Sequence, residues 1–461
     1  MVGSSVSDMR DLGSECGGGS TTAVLPSLAQ INELTRQLGG APGPLDDADR
    51  IDIIRALEEL KCAAEGAQAA VTADFDASQR QRAARAGVPA ERQARGIASQ
   101  VALARRESPH KGQRHVGLAR VLRDEMPHTR AALRGGKITE WKAMLLARET
   151  ACLSLEDRKR VDAELAGDVD RIEAMGDREL VDEVGKLAAR LDAAAVVERR
   201  RRAEADRHTT LRPAPDVMTY LSALLPVKDG VAVHKALLDE ADRAKAAGDP
   251  RSRGAIMADT LVQRVLAPHV ASSSGPAEVP LVIHVVVPDD VLLGDSDGTG
   301  YVEGYGVVPG DLLREWIAHH AETGVLDWVT RLYEVPETGE LVAMEQGGRF
   351  FEGKLAEFLR LRDRRCATKY CGAPVRQLDH VVDKAKGGQT SATNGQALCE
   401  TCNYAKEGLG WSARPRPGPR HTVETITPTG HRYLSTAPSL GPPPRVRMDF
   451  YPVDIRVGRV A

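Results

Sequence analysis

Aromatic side chains are scarce here: Phe, Tyr and Trp make up 4% of the 461 residues. All-β cores draw heavily on β-branched and aromatic residues, so this shortage, beside abundant Ala, Arg and Leu, argues against a sandwich or barrel and for helices. No uninterrupted apolar run reaches transmembrane length, and the opening "MVGSSVSDMRDLGSECGGGSTTAV" lacks the apolar stretch of a secretory signal. These absences exclude a membrane-embedded protein and lead us to expect a cytoplasmic one. An excess of charge of one sign is also missing. With 62 Lys and Arg against 65 Asp and Glu, the net charge is −3. A general polyanion binder is thereby excluded, and any nucleic-acid contact must come from a local patch. Cysteine is sparse and odd in number, seven in all. In a reducing cytosol that excludes a disulfide framework and makes metal the better use for any paired cysteines.

The chain is too long for one ordinary core, so several domains are expected. Residues 1–25 are rich in Gly and Ser and read as a disordered N-terminus. Residues 26–272 form a mainly helical domain. Asp46 and Asp47 can cap a long helix in which Ile51, Ile54, Leu57, Leu60 and Cys62 recur near helical spacing. Further helices are separated by "GVPAER", "ESPHKG", "MPHT", "RGGKITE" and "EAMGDREL". Two readings fit residues 98–149: a helix-turn-helix with Lys111, Arg114 and Arg120 on phosphate, or a bundle with solvated basic residues; the bundle is favoured. Arg199 to Arg202, on a helix, spread around more than one face and read as solvated. His319 and His320 are helix neighbours about 100° apart and do not suit one ion. His284, inside an apolar strand, reads as a core histidine.

Residues 273–353 mix strands and a helix and join this domain to a small module at 354–411. Residues 412–461, Pro- and Arg-rich, read as an extended tail. The fold class expected is therefore α+β.

Four of the seven cysteines fall in the stretch 362–408. Cys366 and Cys371 form a CxxxxC pair, and Cys399 and Cys402 form a CxxC pair with 27 residues between the two. Two such pairs suit a tetrahedral Zn²⁺ with thiolates at about 2.3 Å, and four thiolates leave no open position, so this zinc is structural. Between the pairs lies different chemistry. "LDHVV" alternates as a strand and places Asp379 and His380 on opposite sides of the pleat or across a bulge. "KGGQTSATNG" reads as a loop and "NYAKEG" as a short helix. Asp379 and Asn403 offer hard oxygens suited to Mg²⁺ or a similar cation, and His380 titrates in the range needed to deprotonate water. Asn394 cannot be a base; its use is to hold the loop and orient the imidazole.

The order Asp-His, then Gly-Gly, then Asn, then CxxC-Asn-x-x-Lys resembles the HNH endonuclease motif, with its zinc-stabilised ββα-metal fold. Asn403 stands where many members carry His. The resemblance implies His380 as general base, Asn394 as its positioning residue, Asp379 and Asn403 as ligands of the catalytic cation, and a zinc held by Cys366, Cys371, Cys399 and Cys402. It also implies that Lys406 lies near the scissile phosphate. Upstream, roughly residues 40–410 resemble actinobacterial HNH endonucleases of the 13E12-repeat type, whose N-terminal domain has no known function. Over 354–420 there are 13 Lys and Arg against 6 Asp and Glu. Arg362, Arg364, Arg365 and Lys369 within this basic stretch are expected to follow a DNA backbone. Trp411 reads as an anchor closing the zinc core. The expected activity is metal-dependent DNA hydrolysis, with a zinc-dependent DNA-binding protein as the alternative. A homodimer enters if both strands are cut.

Overall fold

The computed structural model describes residues 25–270, apart from 41, 42 and 44, and residues 351–439, with shorter stretches between 285 and 341. The N-terminal segment expected to be disordered (to residue 24), the expected linker at 271–279, His284, the side chains of His319 and His320, and the tail from 440 onward lie outside the described residues.

Helix α1 (Leu28–Leu38) precedes α2 (Asp47–Arg85), whose N-cap is Asp46, accepting from Asp49 N at 2.8 Å. The first third of α2 is exposed, and its buried face begins at Cys62 and continues through Ala69 and Ala73. Against that face pack α3 (Ile97–Arg105), α4 (Pro109–Asp124), α5 (Pro127–Arg134) and α6 (Glu140–Glu149), while α7 (Leu155–Ala166) packs on α5, α8 (Val169–Ala174) on α7, and α9 (Asp177–Leu191) on α6 and α7. Their apolar positions, among them Leu122, Met126, Leu133, Leu146, Leu165 and Leu180, merge into one core. Asp162 of α7 is fully buried and caps α5 from the side. It accepts from His128 N at 2.8 Å, Thr129 N at 2.9 Å and the Thr129 hydroxyl at 2.6 Å.

The region 98–149 is thus a bundle. Val116, Leu118 and Leu122 face its core, while Lys111 pairs with Glu107 at 3.6 Å and Arg120 with Asp76 at 3.8 Å. On α10 (Ala193–Ala205), Arg199 binds Glu149 and the next three arginines pair with Glu198 or Glu204. A hairpin of β1 (His208–Ala214) and β2 (Met218–Leu224) follows, then the helices α11 (Val227–Ala246) and α12 (Arg253–Val270). The middle region holds β3 (Val285–Val286), β4 (Thr299–Val302) and β5 (Gly306–Pro309) in one antiparallel sheet. Helix α13 (Gly310–Thr323) packs on it through Leu313, and β6 (Glu334–Val335) pairs with β7 (Glu340–Leu341).

The C-terminal module begins with α14 (Gly353–Asp363). The hairpin β8 (Gln377–His380) and β9 (Gly395–Leu398) and the short helix α15 (Glu400–Lys406) complete it. The architecture is α+β, helical first and with small antiparallel sheets after. The expected tail departs from this reading over 412–436. There β10 (Ser412–Arg416), β11 (Thr422–Ile426) and β12 (Arg432–Thr436) form a three-stranded antiparallel sheet. Pro415 is tolerated because β10 is an edge strand. The arginines that make this stretch look unstructured are cross-strand partners of Glu424, with Arg414 at 2.5 Å, Arg432 at 3.5 Å and Arg416 at 3.8 Å.

Candidate functional site

Two adjoining centres share α15. At the first, the Sγ atoms of Cys366, Cys371, Cys399 and Cys402 all lie within 4.8 Å of one another. Cys366 follows α14, and Cys371 closes a turn through Tyr370, whose φ is 64°. Cys399 is the N-cap of α15, and Cys402 sits in its first turn, donating its N–H to Cys399 Sγ at 3.4 Å. Backbone bonds from Cys366 N to Ala373 O and from Ala367 N to Ala397 O, each 2.8 Å, hold the first knuckle against the hairpin.

A tetrahedral zinc with thiolates at about 2.3 Å requires sulfurs about 3.8 Å apart. Cys371 and Cys399 are 3.7 Å apart. The donor set fits such an ion. Crowded sulfurs also perturb one another. The hydrogen bond from Cys371 draws the Cys366 thiol down to about 7, and bonds from Cys366 first, then Cys371, lower Cys399. Cys371 and Cys402 are pushed upward, chiefly by Cys366. A cation among them removes that conflict by accepting four thiolates.

At the second centre the pleat of β8 separates Asp379 from His380. The imidazole is 8% exposed and packs against the Phe351 ring, centroids 4.6 Å apart. Its Nε2 meets the Thr390 hydroxyl at 2.9 Å. Burial lowers its pKa, so the ring is neutral at pH 7. On the other side of the strand, Gln377 and Asp379 share a face toward α15. Asn403 Nδ2 donates to Gln377 Oε1, and Lys406 Nζ lies 2.6 Å from Asp379 Oδ2. Asn403 Oδ1 is buried and has no hydrogen-bond donor. An orphaned amide oxygen on the helix that meets Gln377 and Asp379 offers, with the carboxylate, donors that fit a hard divalent cation.

The loop between the strands is latched by Asn394. Its Oδ1 accepts from Val382 N at 2.9 Å, and its Nδ2 donates to Val382 O at 2.9 Å and Gln389 O at 2.8 Å. Gly387 is left-handed with φ 87°. A Cβ on Gly388 would fall 1.8 Å from Val382 O, so both glycines of the expected turn are required.

Several expected roles are corrected by this geometry. Asn394 holds the loop as expected, but the imidazole's side-chain partner is Thr390, brought into place by that loop. Sequence alone offers Thr390, Ser391 and Thr393 equally, and only the closed loop selects one. Lys406 faces inward, already paired with carboxylates rather than free for a phosphate. It contacts Asp379, pairs with Asp383 at 3.0 Å and donates to His380 O at 2.5 Å, because its position on α15 faces the hairpin. Arg362 is 5% exposed and does not reach a backbone either. The last turn of α14 directs it into β9, where it donates to Ala392 O at 2.6 Å and Gly395 O at 2.8 Å and pairs with Asp363. Arg364 is half-buried over Tyr301, at 4.5 Å, while Arg365 and Lys369 are exposed. Asp383 was not singled out in the sequence. Burial would raise its carboxyl, but hydrogen bonds from Lys386 and Lys406 outweigh that and hold it below the usual range.

Four-cysteine knuckle, Asp-His hairpin and Asn-bearing helix together define an HNH-type module, and residues 366–408 match the HNH endonuclease family. Upstream, residues 54–363 match the domain of unknown function DUF222, and the chain belongs to that family. Neither the curated proteins nor the solved structures yielded a match. Among the described residues, no helix is long and apolar enough to cross a membrane.

Proposed function

We propose that the protein is a DNA endonuclease in which Asp379 and Asn403 hold one divalent cation, such as Mg²⁺, and His380 is the general base. The observation that carries this reading is the buried, donorless Oδ1 of Asn403, set on the same side of the hairpin as Asp379. A bound divalent cation would neutralise charge developing on the phosphate and on the leaving O3′. With Nε2–H given to Thr390, Nδ1 of His380 carries the lone pair that takes the proton of the attacking water. The water oxygen bonds to phosphorus as the P–O3′ bond breaks, and the departing O3′ takes a proton from solvent, leaving a 5′-phosphate and a 3′-hydroxyl. Phe351 and the latched loop keep the ring neutral and oriented. The zinc stays structural, and Arg365 and Lys369 supply exposed charge for the DNA backbone.

Supercoiled plasmid incubated with the full chain and Mg²⁺ or Mn²⁺ tests the proposal. Nicking is expected from wild type and not from His380→Ala or in EDTA. Cleavage by His380→Ala at the wild-type rate would sink the assignment. The seat of Lys406 on Asp379 favours a second reading, a module that grips DNA without cutting it. Zinc-loaded, DNA-binding wild type that never nicks supports that reading instead. One such site cuts one strand, so double-strand breaks imply a second copy or a second visit, distinguished by light scattering on DNA.

A further inference from the structure

We infer that the helical domain acts as a positioning partner of the nuclease helix: the Arg95–Gly96 turn fixes the C-terminal end of α15, and with it Asn403. Helix α15 has seven residues, too few to hold a direction unaided. The four-cysteine centre anchors its N-terminal end through Cys399 and Cys402. Within the module Lys406 ties the last turn back to Asp379, Asp383 and His380 O, and a second pin on that end comes from outside it.

Three contacts make that pin. The Arg95 guanidinium lies over the Tyr404 ring, 3.8 Å from its centroid, one residue beyond Asn403. Gly96 is left-handed, with φ 78°, and presses against the Trp411 indole so closely that a Cβ would fall 2.3 Å from Nε1. Gly408, two residues past α15, is equally confined. Its Cβ would lie 2.9 Å from Trp411 Cδ1 and 3.2 Å from Arg95 O. Trp411 therefore closes the seam between domains rather than the zinc core. Farther along, the turn joining β11 to β12 docks on the same helices. Arg82 donates to Pro428 O at 3.2 Å, and the Thr429 hydroxyl to Gln100 Oε1 at 3.3 Å.

Asn403 lies between the cysteine anchor and this outer pin, so the direction of its Oδ1 depends on both. Residues that orient a ligand through another group commonly carry about 10- to 100-fold in metal affinity or activity. The catalytic consequence rests on the reading of Asn403 as a cation ligand; the placement of α15 does not.

The test uses the full chain as wild type, Arg95→Ala and the wedge Gly96→Val, with three readouts: zinc content, deuterium uptake over residues 400–411, and the Mg²⁺ concentration for half-maximal plasmid nicking. Zinc content is expected to stay unchanged, uptake to rise, and the half-maximal Mg²⁺ to increase about tenfold in both variants. Wild-type uptake in both variants overturns the inference, as does raised uptake with unchanged nicking. If Gly96→Val loses zinc or fails to fold, Arg95→Ala decides alone. If wild type never nicks, raised uptake in Arg95→Ala upholds the second pin, while the nuclease reading fails separately.

Discussion

His380 and His421 are both buried imidazoles, with different consequences. Burial lowers His380, so the base is expected to keep working below the ordinary histidine range and to fail only as pH falls through its depressed value. His421 donates Nε2–H to Thr393 O at 3.0 Å, and burial, with Arg362 adding to it, brings it down to about 4. A histidine lowered in the folded state takes protons more readily when unfolded. The stability it contributes is whole above pH ~6.5 and declines as pH falls toward 4, by about 2 kcal/mol at pH 5. Urea midpoints at pH 7 and pH 5 should separate wild type from His421→Gln, which is expected to lose less on acidification. Thr390→Val removes a partner of the imidazole and is expected to slow nicking about tenfold with DNA affinity unchanged. Arg362→Ala leaves Asp363 buried without its cation and is expected to cost about 3 to 5 kcal/mol of stability. A purely DNA-binding role would instead show as weakened, salt-sensitive binding with an unchanged urea midpoint.

At the element scale, the parts legible in the sequence were those whose chemistry depends on short spacing. The CxxxxC and CxxC pairs close on one another, the Asp-His pair splits across β8, and the Asp46-capped α2 begins at Asp47. What escaped depends on contacts made across the fold. Arg362 looks like its exposed neighbours until α14 is laid against β9. The alternation of β11 is hidden among prolines and arginines whose partner, Glu424, is identified only by strand register. Asp162 is likewise unremarkable in sequence, yet three donors converge on it. Asp162→Ala is expected to destabilise the helical bundle by about 3 kcal/mol, read from its urea midpoint, because buried donors lose a charged acceptor. A strong chelator that strips any metal from the four cysteines is expected to raise deuterium uptake over 366–411 and leave α4 to α9 protected, since among the described residues the metal-type cluster lies at Cys366, Cys371, Cys399 and Cys402, away from their core.

Across the whole molecule, a DUF222 helical domain and an HNH module meet at the Arg95–Gly96 turn, and α15 is where four-cysteine knuckle, hairpin and helical domain converge. The net charge of −3 conceals a basic module, so DNA contact is expected to depend on Arg365 and Lys369 and to weaken steeply with salt. The central claim is that His380 removes a proton from water, and chemical rescue tests it most directly. His380→Gly opens a space between Phe351 and Thr390 that free imidazole can enter. Plasmid nicking by the zinc-loaded, DNA-binding variant should be lost and then restored in part by added imidazole. Nicking by His380→Gly at the wild-type rate without imidazole would contradict the account.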